Sequence, residues 1–148
     1  MNTKGIALIR KKHGLTQDQL ASLMSVSRSR VKNIENGNDL TVPVLLRYLK
    51  ACGLEAKFGI FDSENNHLSS ISHAEMLSAL RKIRQHSALT QNQLAEKISL
   101  SRSRIEQIEL GTDDIKISTL NKYVSACGFR VMLDVKKIEN IPPPLENT

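Results

Sequence analysis

The sequence has no tryptophan, three phenylalanines and two tyrosines, so aromatics make up 3% of its 148 residues and any core built from it must be mainly aliphatic. Cysteine is almost as scarce. Cys52 and Cys127 are too few for a disulfide framework and lack the C-x-x-C spacing of a zinc or thioredoxin-like site. They read as small buried thiols, with redox sensing as the alternative. No apolar run approaches the roughly 18 residues that cross a bilayer. The first ten residues lack the apolar stretch and cleavage site of a signal peptide, so a cytoplasmic protein is expected. His13, His67, His73 and His86 share no metal-ligand spacing. P-loop, G-x-S-x-G, H-E-x-x-H and zinc-deaminase signatures are missing, which points away from an enzyme and implies no cofactor.

What is present is ordinary for a globular chain, 40% hydrophobic and 24% charged, with 21 Lys and Arg against 15 Asp and Glu. The net charge of +6 attracts polyanions such as nucleic acid without specifying one. An internal repeat organises the chain. Leu15-Thr16-Gln17-Asp18-Gln19-Leu20-Ala21 returns as Leu89-Thr90-Gln91-Asn92-Gln93-Leu94-Ala95, a shift of 74 residues. In the same register Ser27-Arg28-Ser29-Arg30 matches Ser101-Arg102-Ser103-Arg104, Ile34-Glu35 matches Ile108-Glu109, and Gly37 matches Gly111. One inserted residue makes the shift 75, so Tyr48 meets Tyr123 and Ala51-Cys52-Gly53 meets Ala126-Cys127-Gly128. The expected layout is a first repeat over 1–61, a polar, turn-prone linker over 62–72 and a second repeat over 73–136. A tail over 137–148 follows, where Pro142-Pro143-Pro144 favours an extended or disordered chain.

Within one repeat, Ile6, Ile9 and Arg10 predict a first helix ending near Gly14. Thr16-Gln17-Asp18-Gln19 has the form of a capping box and starts a second, with Thr90 to Gln93 repeating it. Leu20, Ala21 and Met24 share a face of that helix. Ser27 caps a third, whose inward stripe is Val31 and Ile34. A fourth runs from about Val42 through Leu45, Tyr48 and Leu49 to Cys52, where Tyr48 and its counterpart Tyr123 read as packing residues. The period then changes from helical to two. Leu54, Ala56, Phe58 and Ile60 alternate with Glu55, Lys57 and Gly59; Phe129, Val131, Leu133 and Val135 alternate with Arg130, Met132 and Asp134. A lone strand leaves backbone groups unpaired, so the two equivalent strands are expected to pair as an antiparallel ribbon between pseudo-twofold halves. The fold class is mainly α, with about four helices and one strand per repeat.

Over nearly all of both copies the chain resembles the Cro/CI-type helix-turn-helix family, also called the xenobiotic-response-element type. The Thr-Gln opening, the small Ala21 and Ala95, the branched Val31 and Ile105, Ile-Glu and the closing Gly follow in the family's order. The departure is Ser25 and Ser99 in the turn where glycine is usual, at a cost on the order of 1 kcal/mol. The resemblance implies structural pairs, Arg10 with Glu35 and Arg84 with Glu109. It also implies a second motif helix lying in the major groove of double-stranded DNA. On that helix Arg28 and Arg102 are the first candidates to read guanine. Ser29 and Ser103 come next, then Asn33 and Gln107 one turn on, with Lys32 beside them. Arg30 and Arg104 suit phosphate as well as bases. Gln17 and Gln91 look like the family's phosphate-contacting glutamines, at helix N-termini that favour an anion. Because Lys32-Asn33 becomes Glu106-Gln107, the two half-sites are expected to differ. Residues 1–62 hold ten Lys and Arg against five Asp and Glu, and residues 63–148 hold eleven against ten, so the first repeat should supply more of the salt-dependent affinity.

The implied function is a transcriptional regulator, a repressor or autorepressor, acting as a pseudo-dimeric monomer or a homodimer. Four helices and a pairing strand also resemble HipB-like antitoxins, which adds a toxin protein as a possible partner. A protein-interaction module that has lost DNA binding is the third reading, since fold does not fix function.

Overall fold

The computed structural model describes residues 5–37, 40–112 and 114–138. Apart from its first two residues, the expected proline-rich tail lies outside them. The first repeat forms α1 (Ile6–Lys12), α2 (Gln17–Met24), α3 (Arg28–Glu35) and α4 (Val42–Ala51). The second forms α5 (Met76–His86), α6 (Gln91–Lys97), α7 (Arg102–Leu110) and α8 (Ile117–Ala126), entered through one 3₁₀ turn at His73–Glu75. Three strands complete the described residues: β1 (Leu54–Phe61), β2 (His67–Ile71) and β3 (Arg130–Lys137).

Helices α2, α3, α6 and α7 start where the sequence offers oxygen caps. Thr16 Oγ1 accepts from the Gln19 amide at 3.1 Å while Gln19 Oε1 accepts from the Thr16 amide at 2.8 Å. Thr90 and Gln93 make the same reciprocal pair at 3.1 and 2.9 Å. Ser27 and Ser101 cap α3 and α7 through the amides of Arg30 and Arg104, each at 3.1 Å. Every such cap is worth about 1 kcal/mol. Leu20, Val31 and Leu45 of the first repeat and Leu94, Ile105 and Leu120 of the second are buried, each contributing about 1.5–3 kcal/mol of transfer free energy. The buried residues of both repeats and of the strands join one largely aliphatic core, as the scarcity of aromatics requires.

The strands form one antiparallel sheet in the order β2-β1-β3. Its β1–β3 pair is the expected ribbon, running from Leu54 opposite Lys137 to Phe61 opposite Arg130. Near its middle Phe58 faces Leu133, which under the shift of 75 is its own counterpart. The same holds at a second place. Thr41 bridges Lys116, again its own counterpart. On either side the Val42 amide donates to the Ile115 carbonyl at 2.8 Å, and the Ile117 amide to the Leu40 carbonyl at 2.7 Å. Exchanging the two repeats turns each of these bonds into the other. Each junction therefore carries a local twofold that relates one repeat to the other.

The segment over 62–72 does more than link. Asp62 Oδ1 accepts from the amides of Glu64 and Asn66, both at 2.9 Å, and Asn65 takes a left-handed φ of 69°. These residues close a hairpin that returns β2 along β1. Only Ile71 of β2 is buried, which is why its composition reads as solvent-exposed linker.

Candidate nucleic-acid interface

The second and third helices of each unit are held at a fixed angle by a short turn. Ser25 ends α2 with φ 57° and ψ 43°, and Ser99 holds the matching place with φ 58°. Both occupy the left-handed region where glycine is usual, so each turn carries the expected strain. The Val26 amide reaches back to the Ala21 carbonyl at 3.0 Å and Leu100 to Ala95 at 2.9 Å, which seats the small alanines where the helices cross.

Behind each turn lies a buried polar cluster. Arg10 Nε and Nη2 donate to the two oxygens of Glu35 at 2.7 and 3.0 Å, and Arg84 does the same to Glu109 at 2.7 and 2.9 Å. Arg10 Nη1 donates to the Leu15 carbonyl and Arg84 Nη1 to the Leu89 carbonyl, tying each first helix to the loop before the second. Tyr48 Oη donates to Glu35 at 2.5 Å and Tyr123 Oη to Glu109 at 2.7 Å. The tyrosines, expected as packing residues, are fully buried and are also the third member of each cluster. Their position on an apolar stripe hid that role. Burial alone pushes the carboxyls of Glu35 and Glu109 up, but hydrogen bonds from arginine, tyrosine and glutamine outweigh it and hold both below the ordinary carboxylate range. Burial also raises the Cys52 and Cys127 thiols, which suits inert packing.

Gln17 and Gln91 join the same clusters. Gln17 Nε2 donates to Glu35 Oε1 at 3.1 Å, and Gln91 Nε2 to Glu109 Oε1 at 3.3 Å. One amide proton of each is thereby committed inward, and the other proton and the amide oxygen remain available.

On α3, Val31 and Ile34 point inward and Arg28, Ser29, Arg30, Lys32 and Asn33 are exposed. Helical spacing places Arg28, Ser29, Lys32 and Asn33 on one continuous outward strip, with Arg30 on its far flank. On α7, Ile105, Ile108 and Glu109 are buried while Arg102, Ser103, Glu106 and Gln107 form the same strip; Arg104 is half-buried. The strips are electrostatically unlike. Asp18 Oδ2 lies 3.9 Å from Arg28 Nη1, whereas the counterpart of Asp18 in the second repeat is the uncharged Asn92. Among the described residues no group of His, Cys, Asp or Glu is placed to hold a metal, and no helix is long and apolar enough to cross a membrane.

Two short helices joined by a tight turn, with the second presenting an exposed polar strip that opens on an arginine, define a DNA-binding unit of the regulator class, here present twice about a local twofold. The first unit matches a family model described as "Helix-turn-helix" over residues 6–58, and the second one described as "Helix-turn-helix domain" over 78–130. The chain is 37% identical over 76 residues to the Competence pilus inhibition repressor of Acinetobacter baylyi, covering 47% of this chain and 69% of that protein. No solved structure matches the chain. The chain belongs to the Cro/CI-type helix-turn-helix family of DNA-binding transcriptional regulators.

Proposed function

We propose that the protein is a cytoplasmic repressor in which a single chain reads two unlike half-sites in the major groove of double-stranded DNA. The observation that carries this reading is the local twofold at Thr41–Lys116 and Phe58–Leu133, which relates two complete helix-turn-helix units without a second copy. Members of this class with one unit obtain a second by dimerising, and their half-sites lie about one helical turn, ~34 Å, apart. Here Arg28 and Arg102 read guanine O6 and N7, Ser29, Ser103, Asn33 and Gln107 add base or phosphate contacts, and Lys32, Arg30, Arg104, Gln17 and Gln91 supply phosphate contacts. Repression, including of its own gene, is the sign we assign, because a compact protein covering a promoter occludes it and the Acinetobacter baylyi relative is named a repressor. No feature of the described residues favours a toxin partner over DNA.

Selection from a random DNA library at near-physiological salt tests this, with the wild type and the Arg28→Ala/Arg102→Ala variant in parallel. The wild type enriches two unlike half-sites about one turn apart and the variant enriches neither. Enrichment of no sequence by the wild type would replace the proposal with a partner-binding role.

A further inference from the structure

We infer that Glu106 reads cytosine in one half-site and thereby fixes the direction in which the chain lies on its DNA; this rests on the DNA-reading proposal above. Two identical heads about a twofold bind a site equally well either way round. Most of the reading surface here is identical: Gln17 and Gln91, Arg28 and Arg102, Ser29 and Ser103, Arg30 and Arg104. Asn33 and Gln107 differ in length and share their chemistry. On the outward strips, Lys32 and Glu106 alone reverse charge.

Glu106 is exposed one turn beyond Arg102, on the side of α7 away from buried Ile105 and Ile108. Among the described residues its side chain makes no ion pair or hydrogen bond, not even with Arg102, and so its carboxylate acceptors are uncommitted. A carboxylate facing phosphates weakens attraction, and it has acceptors only. In the major groove it finds two kinds of donor, the amino groups of cytosine and adenine. The adenine amino group adjoins the N7 acceptor, which repels a carboxylate, while that of cytosine adjoins the C5–H. Cytosine is therefore the base it selects. Lys32 offers only donors and takes guanine or phosphate, so one head seeks an acceptor at the place where the other seeks a donor.

The test is the same library selection with the full chain carrying Glu106→Ala, Glu106→Gln or the exchange Lys32→Glu/Glu106→Lys. The wild type enriches an asymmetric site with a cytosine column in one half. Glu106→Ala lowers the preference at that column on the order of tenfold and leaves the others standing. Glu106→Gln, which gains a donor, admits adenine there. The exchange selects the same asymmetric site but turns the chain round on it, which is read from the end of the duplex cut by an iron chelate tethered to one head. All these positions are exposed, and matched melting temperatures verify the fold of each variant. A wild-type site whose columns all survive Glu106→Ala overturns the inference and leaves two-headed DNA reading intact. A wild type that enriches no sequence overturns both.

Discussion

In the first head Glu35 accepts hydrogen bonds from Arg10, Tyr48 and Gln17; in the second Glu109 accepts the same three from Arg84, Tyr123 and Gln91. Arg81 adds a further cation 3.7 Å from Glu109, where the first head has Ala7. The caps and the serine turns also repeat. Difference gathers at exposed positions: Asp18 against Asn92, Lys32 against Glu106, Asn36 against Leu110. A change inside the cluster strands a buried charge, whereas a change on the outward strip alters only what the head meets. The comparison thus separates what each unit needs to fold from what it uses to recognise.

The largest expected effect breaks the buried symmetry. Glu109→Ala leaves the Arg84 guanidinium buried without its partner and costs about 3–5 kcal/mol in chemical denaturation. Glu35→Ala costs a similar amount by the same route. An exposed-site loss, under about 1 kcal/mol in either head, would contradict the structural role of the clusters. The same carboxyls set the acid limit. Their folded values lie below the ordinary 4.5, so the stability they contribute is complete above that pH and is lost as pH falls through the depressed values. A melting temperature measured against pH should fall on the acid side of 4.5, and Glu35→Gln/Glu109→Gln should flatten that fall.

Next come the reading arginines. Arg28→Ala and Arg102→Ala should each cost about 1–3 kcal/mol of discrimination against the wrong base in competition binding. Arg28→Ala should reduce affinity and its salt dependence more, because the first 62 residues carry the larger charge excess. Equal losses would remove the electrostatic difference between the heads.

A smaller effect lies at the end of each first helix. Gly14 has φ 73°, and its counterpart Ala88 takes φ 58° with a side chain the left-handed region disfavours. Ala88→Gly should stabilise the second head by about 1 kcal/mol and Gly14→Ala destabilise the first by about as much. Smallest is Asp18→Asn, which makes the first head resemble the second. It should change stability by under about 0.5 kcal/mol, since the Asp18–Arg28 pair is exposed, while tightening DNA binding by removing a charge near the phosphates.

Much of this was legible in the residues. The duplication, both capping boxes, the serine turns and the change of period each leave a local pattern, and together they give the helices and the paired strands. The tyrosine hydroxyls were hidden because their positions read as core by spacing, and only three-dimensional packing brings them to a glutamate 13 or 14 residues away. Ala88 was hidden because alanine signals helix continuation where the first copy has glycine. The β2 strand was masked by its polarity, as Ile71 alone of its residues is buried. The Thr41–Lys116 bridge is one residue pair and has no periodicity to betray it, although the shift of 75 already makes those residues counterparts.

The central claim is that one chain supplies both heads, and the most direct test is the stoichiometry of the DNA complex. Native mass spectrometry of the full chain with a duplex carrying the selected two-part site should give one chain per duplex, unchanged when the chain is in excess. Two chains per duplex, with no complex of one, would show that the heads of a single chain do not engage both half-sites together.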